Sequence, residues 1–80
     1  MSEYSQAVPR PLTILRRRDL ETRLKLSRST IYDKINDRSV RYDPTFPKPI
    51  RLGEGAAVGW IEREVDDWLL RQVEASRKQS

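Results

Sequence analysis

Apolar residues along this 80-residue chain change their spacing several times, and each change marks an element. Leu12-Thr13-Ile14-Leu15 is a short, partly β-branched run that fits one strand of a small sheet. From Arg17 to Leu24 the spacing lengthens, with Leu20 and Leu24 on one face of a short amphipathic helix. Ile31 and Ile35 repeat that spacing. Ser27, just before them, is a good N-cap, because its hydroxyl can accept from an unpaired first-turn N–H; a second helix is predicted from Arg28 to about Asn36. The connection Lys25-Leu26 is so short that the two helices must cross steeply, with Leu20, Leu24, Leu26, Ile31 and Ile35 as their shared core.

Beyond the second helix the pattern turns to strands. Asn36-Asp37-Arg38-Ser39 tolerates a turn, and Val40 to Thr45 form a polar loop. Two prolines in Phe46-Pro47-Lys48-Pro49-Ile50-Arg51-Leu52 forbid a helix and allow an edge strand. Gly53-Glu54-Gly55 is a turn and Ala56 to Trp60 a return strand, so residues 46–60 are predicted to form a β-hairpin. Trp60 or Ile61 then opens a last helix with Ile61, Val65, Trp68, Leu69 and Val73 on one face. Residues 1–11, with two prolines and little apolar content, read as a flexible arm, and residues 77–80 as a frayed end. The expected domain is therefore 12–76, an α+β fold: a small winged helix-turn-helix with a β-hairpin wing and a C-terminal packing helix.

Composition narrows the chemistry. A chain this short buries a small core, for which Trp60, Trp68, Phe46 and the three tyrosines are the expected anchors. With neither cysteine nor histidine there is no disulfide framework, no common zinc ligand and no ordinary general base. Glu62 and Asp66 stand one turn apart on an exposed helix without a catalytic partner, so an enzyme is not expected and no cofactor or metal is assigned. No apolar run approaches the roughly 20 residues of a membrane span, and the N-terminus lacks a signal-peptide core, so a cytoplasmic location is expected.

Charge gives the helix pair a direction. The net charge of +4 arises from 16 basic and 12 acidic residues, unevenly placed. Residues 1–18 carry Arg10, Arg16, Arg17 and Arg18 against Glu3, a net +3; residues 19–36 sum to +1, 37–53 to +2 and 54–80 to −2. The basic surplus travels with the second helix, and the acidic surplus lies in the last. That gradient suits a polyanion such as double-stranded DNA, with the second helix in the major groove, the first across the backbone and the acidic helix behind. On the outer face Arg28 is placed to bond guanine bidentately or to clamp a phosphate. Ser29 and Thr30 are phosphate or capping hydroxyls, and Tyr32 either stacks on the sugar–phosphate edge or packs against the wing. Asp33 either accepts from a cytosine amino group or fends off wrong backbone positions. Lys48 and Arg51 on the wing, with Arg38 and Arg41 in the loop, are the expected phosphate contacts.

Three blocks carry a family resemblance: Leu26-Ser27-Arg28-Ser29-Thr30-Ile31-Tyr32, then Phe46-Pro47-Lys48-Pro49-Ile50, then Trp60 through Leu69 with Glu64-Val65-Asp66-Asp67-Trp68 inside it. In this order they resemble the AlpA family of small prophage regulators, over about residues 14–70, and are similar to excisionase and MerR-like domains. The resemblance implies sequence-specific DNA binding, in transcription of mobile-element genes or in excision beside an integrase. It assigns Ser27 to the cap, Arg28, Ser29, Thr30 and Tyr32 to the recognition surface, Lys48 and Ile50 to the wing, and Trp60 and Trp68 to structural aromatics. Two positions depart from the family pattern. Lys25 stands where glycine is common, so the turn is rebuilt or Lys25 takes a positive φ; Asp33 stands where a basic residue is frequent. RNA polymerase or an integrase is the expected protein partner. The last helix lacks sustained heptads, so a monomer with cooperative binding on DNA is expected. An adaptor that docks a partner through an apolar patch around Leu70 and Val73 is the alternative from another class.

Overall fold

Six elements follow one another in a computed structural model that describes residues 12–79: β1 (Ile14–Leu15), α1 (Arg17–Leu24), α2 (Arg28–Ile35), β2 (Ile50–Arg51), β3 (Val58–Ile61) and α3 (Glu62–Gln79). The arm expected over residues 1–11, Arg10 and Tyr4 included, lies outside the described residues, as does Ser80. The architecture is a winged helix-turn-helix of the α+β class, in which β3 runs between β1 and β2 with both pairings antiparallel.

Local chemistry explains the helix pair. At the start of α1 the Asp19 carboxylate accepts from the Arg16 backbone N–H at 3.1 Å. An arginine side chain has no acceptor, so this is only one half of a capping box. Lys25 ends the helix at φ 58°, ψ 36°, in the left-handed region. The tight turn is therefore kept, not rebuilt, with a lysine bearing the backbone conformation that favours glycine. Ser27 then caps α2, its Oγ accepting from the Thr30 N–H at 3.2 Å. Leu20 and Ile31 meet between the helices with no exposure at all, and Leu24, Leu26 and Ile35 pack partly buried around them.

The sheet is smaller than the pattern suggests. Its first strand is Ile14–Leu15, and Leu12 is 58% exposed. The hairpin pairs Ile50 with Gly59 and Arg51 with Val58, and the Leu52 N–H donates to the Ala57 carbonyl at 2.9 Å. Phe46 to Pro49 form no strand, because Phe46 turns inward to meet Trp68 edge-on, ring centroids 5.0 Å apart, and Pro47 presents its carbonyl to the Trp60 indole N–H at 3.1 Å. Trp60 ends up in the return strand, one of the two places its position allowed, and the strand runs one residue further: Ile61, expected on the inner face of the last helix, belongs to β3, with Trp60 paired to Leu15 and Ile61 to Ile14. Gly59 makes this close sheet feasible. A Cβ there would overlap Ile14 Cγ2 and crowd Leu52 Cδ1 at 3.2 Å and the Leu15 carbonyl at 3.3 Å.

Leu15, Leu20, Ile31, Phe46, Trp60, Val65 and Trp68 form the core. The two described tyrosines do not anchor it: Tyr32 is 39% exposed and Tyr42 half-buried. α3 runs through Gln79. Its second half projects past the core, which leaves Leu70 and Val73 exposed, although Val73 was expected on the inner face. Arg23 fastens α3 to α1, donating to Glu62 at 2.8 Å and to Asp66 at 2.9 Å. The pair of acids that a catalytic reading would single out is thus held in a salt-bridge fork. No helix among the described residues is long and apolar enough to cross a membrane.

Candidate nucleic-acid interface

The outward side of α2 carries Arg28, Ser29 and Tyr32, all exposed. The Arg28 guanidinium lies over the Tyr32 ring, 5.7 Å from its centroid, so one turn of helix presents a charge backed by an aromatic face. Thr30 points the other way. It is half-buried and its hydroxyl lies 3.0 Å from the Ser27 hydroxyl, engaged in the cap. Asp33 faces Arg41 across 3.7 Å. Lys34 turns back to the Trp68 ring, 5.5 Å from its centroid, and adds no charge to the Arg28 side.

The loop after α2 holds its shape through side-chain turns. Asn36 accepts from the Arg38 N–H at 3.0 Å, Ser39 from the Arg41 N–H at 3.1 Å and Asp43 from the Thr45 N–H at 2.9 Å. Arg38 and Arg41 are thereby carried outward on an ordered loop. Lys48 is exposed but precedes the wing strand. It lines a groove of about 380 Å3 with Asn36 and Asp37 at the C-terminal end of α2. Arg51 lies exposed on β2, in the wing proper. The expected residues thus fall into three groups: Arg28, Ser29 and Tyr32 on early α2; Asp33, Arg38, Arg41 and Lys48 toward its end; and Arg51 alone on the hairpin.

A second basic feature escaped residue-by-residue reasoning. Arg16, Arg17, Arg18 and Asp19 line a cleft of about 520 Å3 whose other walls are Tyr32 and the wing segment Ala56, Ala57 and Val58. Arg16 closes one end by donating its Nε–H to the Val58 carbonyl at 3.1 Å. Arg17 is paired with Glu21. Arg18 is exposed and makes no ion pair among the described residues. Three consecutive arginines at a helix start were the available signal; the wing that faces them is some 40 positions later in the chain.

Asp43 joins the loop to the core. Burial alone would raise its carboxyl, but hydrogen bonds from the Thr45 hydroxyl, the Thr45 N–H and the Trp68 indole, with the charge of Lys34, outweigh burial and hold it below its ordinary value. Trp68 Nε1 donates to Asp43 Oδ2 at 3.2 Å, so the aromatic core and the loop carrying Arg38 and Arg41 share one hydrogen bond.

Comparison with known proteins gives a consistent picture. A family model described as the prophage CP4-57 regulatory protein (AlpA) matches residues 13–73. The DNA-binding transcriptional activator AlpA of Escherichia coli (strain K12) is 57% identical to the chain over 44 residues, which are 55% of this chain and 61% of that relative. The matched segment thus spans less than two thirds of the relative's length. No solved structure matches the chain at a significant level.

Proposed function

The chain belongs to the AlpA family of prophage regulatory proteins, and on that premise we propose that it binds a specific double-stranded DNA sequence as a transcriptional regulator of a prophage or mobile element. The observation that carries the reading is the outer face of α2, where the exposed Arg28 lies over the Tyr32 ring and Tyr32 in turn lines the cleft shared with the wing. In this reading α2 enters the major groove, Arg28 bonds a guanine edge, and Asp33 accepts from a cytosine amino group or excludes wrong registers. Ser29, Arg38, Arg41, Lys48 and Arg51 contact phosphates, and Thr30 supports the cap. The protein acts by binding, in the cytoplasm, beside RNA polymerase, as a monomer that occupies neighbouring sites cooperatively. An excision factor beside an integrase would need the same surface; the relative's description as a transcriptional activator favours transcription.

The test begins with selection of a preferred site from random duplexes, followed by polarisation titrations. Arg28→Ala is expected to cost about 1–3 kcal/mol on the selected site and to relax preference at one base pair. Lys48→Ala and Arg51→Ala should weaken all duplexes alike. A wild-type protein without salt-dependent affinity for any duplex overturns the reading.

A further inference from the structure

We propose that the cleft between the start of α1 and the wing seats one sugar–phosphate strand of the bound duplex, with Arg18 as its principal phosphate contact. The proposal rests on the DNA-binding reading and adds to it a site on the first helix. The two grooves of a duplex are separated by a single strand. A protein that lays one element in the major groove and a hairpin beside it must therefore face that strand with the surface between them. Here that surface is concave: Tyr32 of α2 stands on one side, Ala56, Ala57 and Val58 of the wing on the other, and Arg16 to Asp19 line the remainder.

The distribution of charge within the cleft selects the contact. Asp19 is turned to the Arg16 backbone N–H, and Arg17 is held by Glu21. Arg16 uses its Nε–H on the Val58 carbonyl, which fixes the distance between α1 and the wing. Arg16 also has no ion pair, but its guanidinium is tied to the wing by that bond; Arg18 is exposed with neither an ion pair nor a hydrogen bond of its side chain among the described residues, and its planar fork suits two phosphate oxygens. The wing contributes shape instead of charge. From Gly53 to Val58 it has no cation and one acid, Glu54, and the residues that line the cleft are small. Small side chains let a backbone approach closely, and the positive charge that meets it must come from α1.

The experiment measures affinity for the selected duplex and for a random-sequence duplex between about 50 and 200 mM salt, using the full chain. Arg18→Ala should weaken both duplexes by the same factor, about three- to tenfold, and lower the slope of log K against log salt by about 0.9. Ala56→Glu, an exposed wall position, should weaken both duplexes at least as much without touching any arginine. Arg71→Ala removes an equal charge from α3, beside Glu64 and Asp67, and should leave the slope unchanged. An unchanged slope for Arg18→Ala, or an equal loss for Arg71→Ala, overturns the cleft while wild-type binding keeps the DNA reading intact. Wild-type binding that is indifferent to salt on both duplexes overturns that reading and the cleft with it.

Discussion

Asp33 on α2 and Arg41 in the following loop stand 3.7 Å apart, carboxylate to guanidinium, with the Arg41 side chain largely exposed. A surface pair of this kind contributes about 0.2–1 kcal/mol, so a phosphate can displace the carboxylate from Arg41 at little cost. Asp33 would then face the duplex as a negative charge, tolerated where it finds a donor and repelled elsewhere. Asp33→Ala is therefore expected to raise affinity for random-sequence duplex a few-fold while reducing preference for the selected site. Competition polarisation with both duplexes measures this; lower affinity for random-sequence duplex would contradict it.

Lys25 holds φ at 58° without any hydrogen bond or ion pair of its side chain among the described residues to compensate. A left-handed conformation costs an L-residue roughly 1–2 kcal/mol, and glycine adopts it freely at an entropic cost of roughly 0.5–1 kcal/mol. Lys25→Gly should stabilise the domain by about 0.5–1 kcal/mol, a gain of several degrees in Tm for a domain of this size. Thermal unfolding followed by circular dichroism decides it, and an unchanged or lower Tm would mean that the lysine side chain stabilises the turn.

What could be read from the sequence was what local chemistry controls. The α2 boundaries follow from Ser27 and the Ile31–Ile35 spacing, all within one or two turns of helix, and the structure keeps them. The hairpin was visible from its prolines and glycines, but its length was not. Strand pairing there is set by distant contacts, Trp60 to the Pro47 carbonyl and Gly59 against Ile14, which pull residues 46–49 out of the sheet and Ile61 into it. The arginine cleft needs Arg16 and Val58 together, 42 positions apart, and no periodicity encodes that meeting. Tyr32 shows two sequence signals in conflict: its size suggests a core anchor, but its helical position puts it beside Arg28 on the outer face, and the structure follows the helical position.

Gly59 tests the central strand. A Cβ added there meets side chains on both flanks and the Leu15 carbonyl, none of which can shift without moving β1 or the wing. Gly59→Ala is expected to destabilise by about 1–3 kcal/mol, in the range of other overpacking substitutions. Because the wing moves with β3, DNA affinity should also fall at temperatures where the variant remains folded. Urea unfolding and polarisation on the same sample separate the two effects; a variant of wild-type stability would show that the strands have room to part.

Asp43 predicts a pH signature for the junction between loop and core. Its carboxyl is held below the ordinary value of 3.8 in the folded protein, despite burial, by Thr45, Trp68 and Lys34. A group with a depressed native pKa stabilises the fold above the unfolded value and loses that contribution as pH falls through the native one. The contribution of Asp43 is thus complete above about pH 5 and disappears as pH drops past 3.8 and then past the lower native value. Asp43→Asn keeps an acceptor for Thr45 at Oδ1 but sets an amide Nδ2 against the Trp68 indole N–H and removes the charge that Lys34 sees. The variant should be less stable than wild type at pH 7, and the difference should shrink steadily below pH 4, as measured by urea midpoints from pH 7 to pH 2. A difference that stays constant across that range would place the contribution of Asp43 in its hydrogen-bond geometry alone and not in its charge.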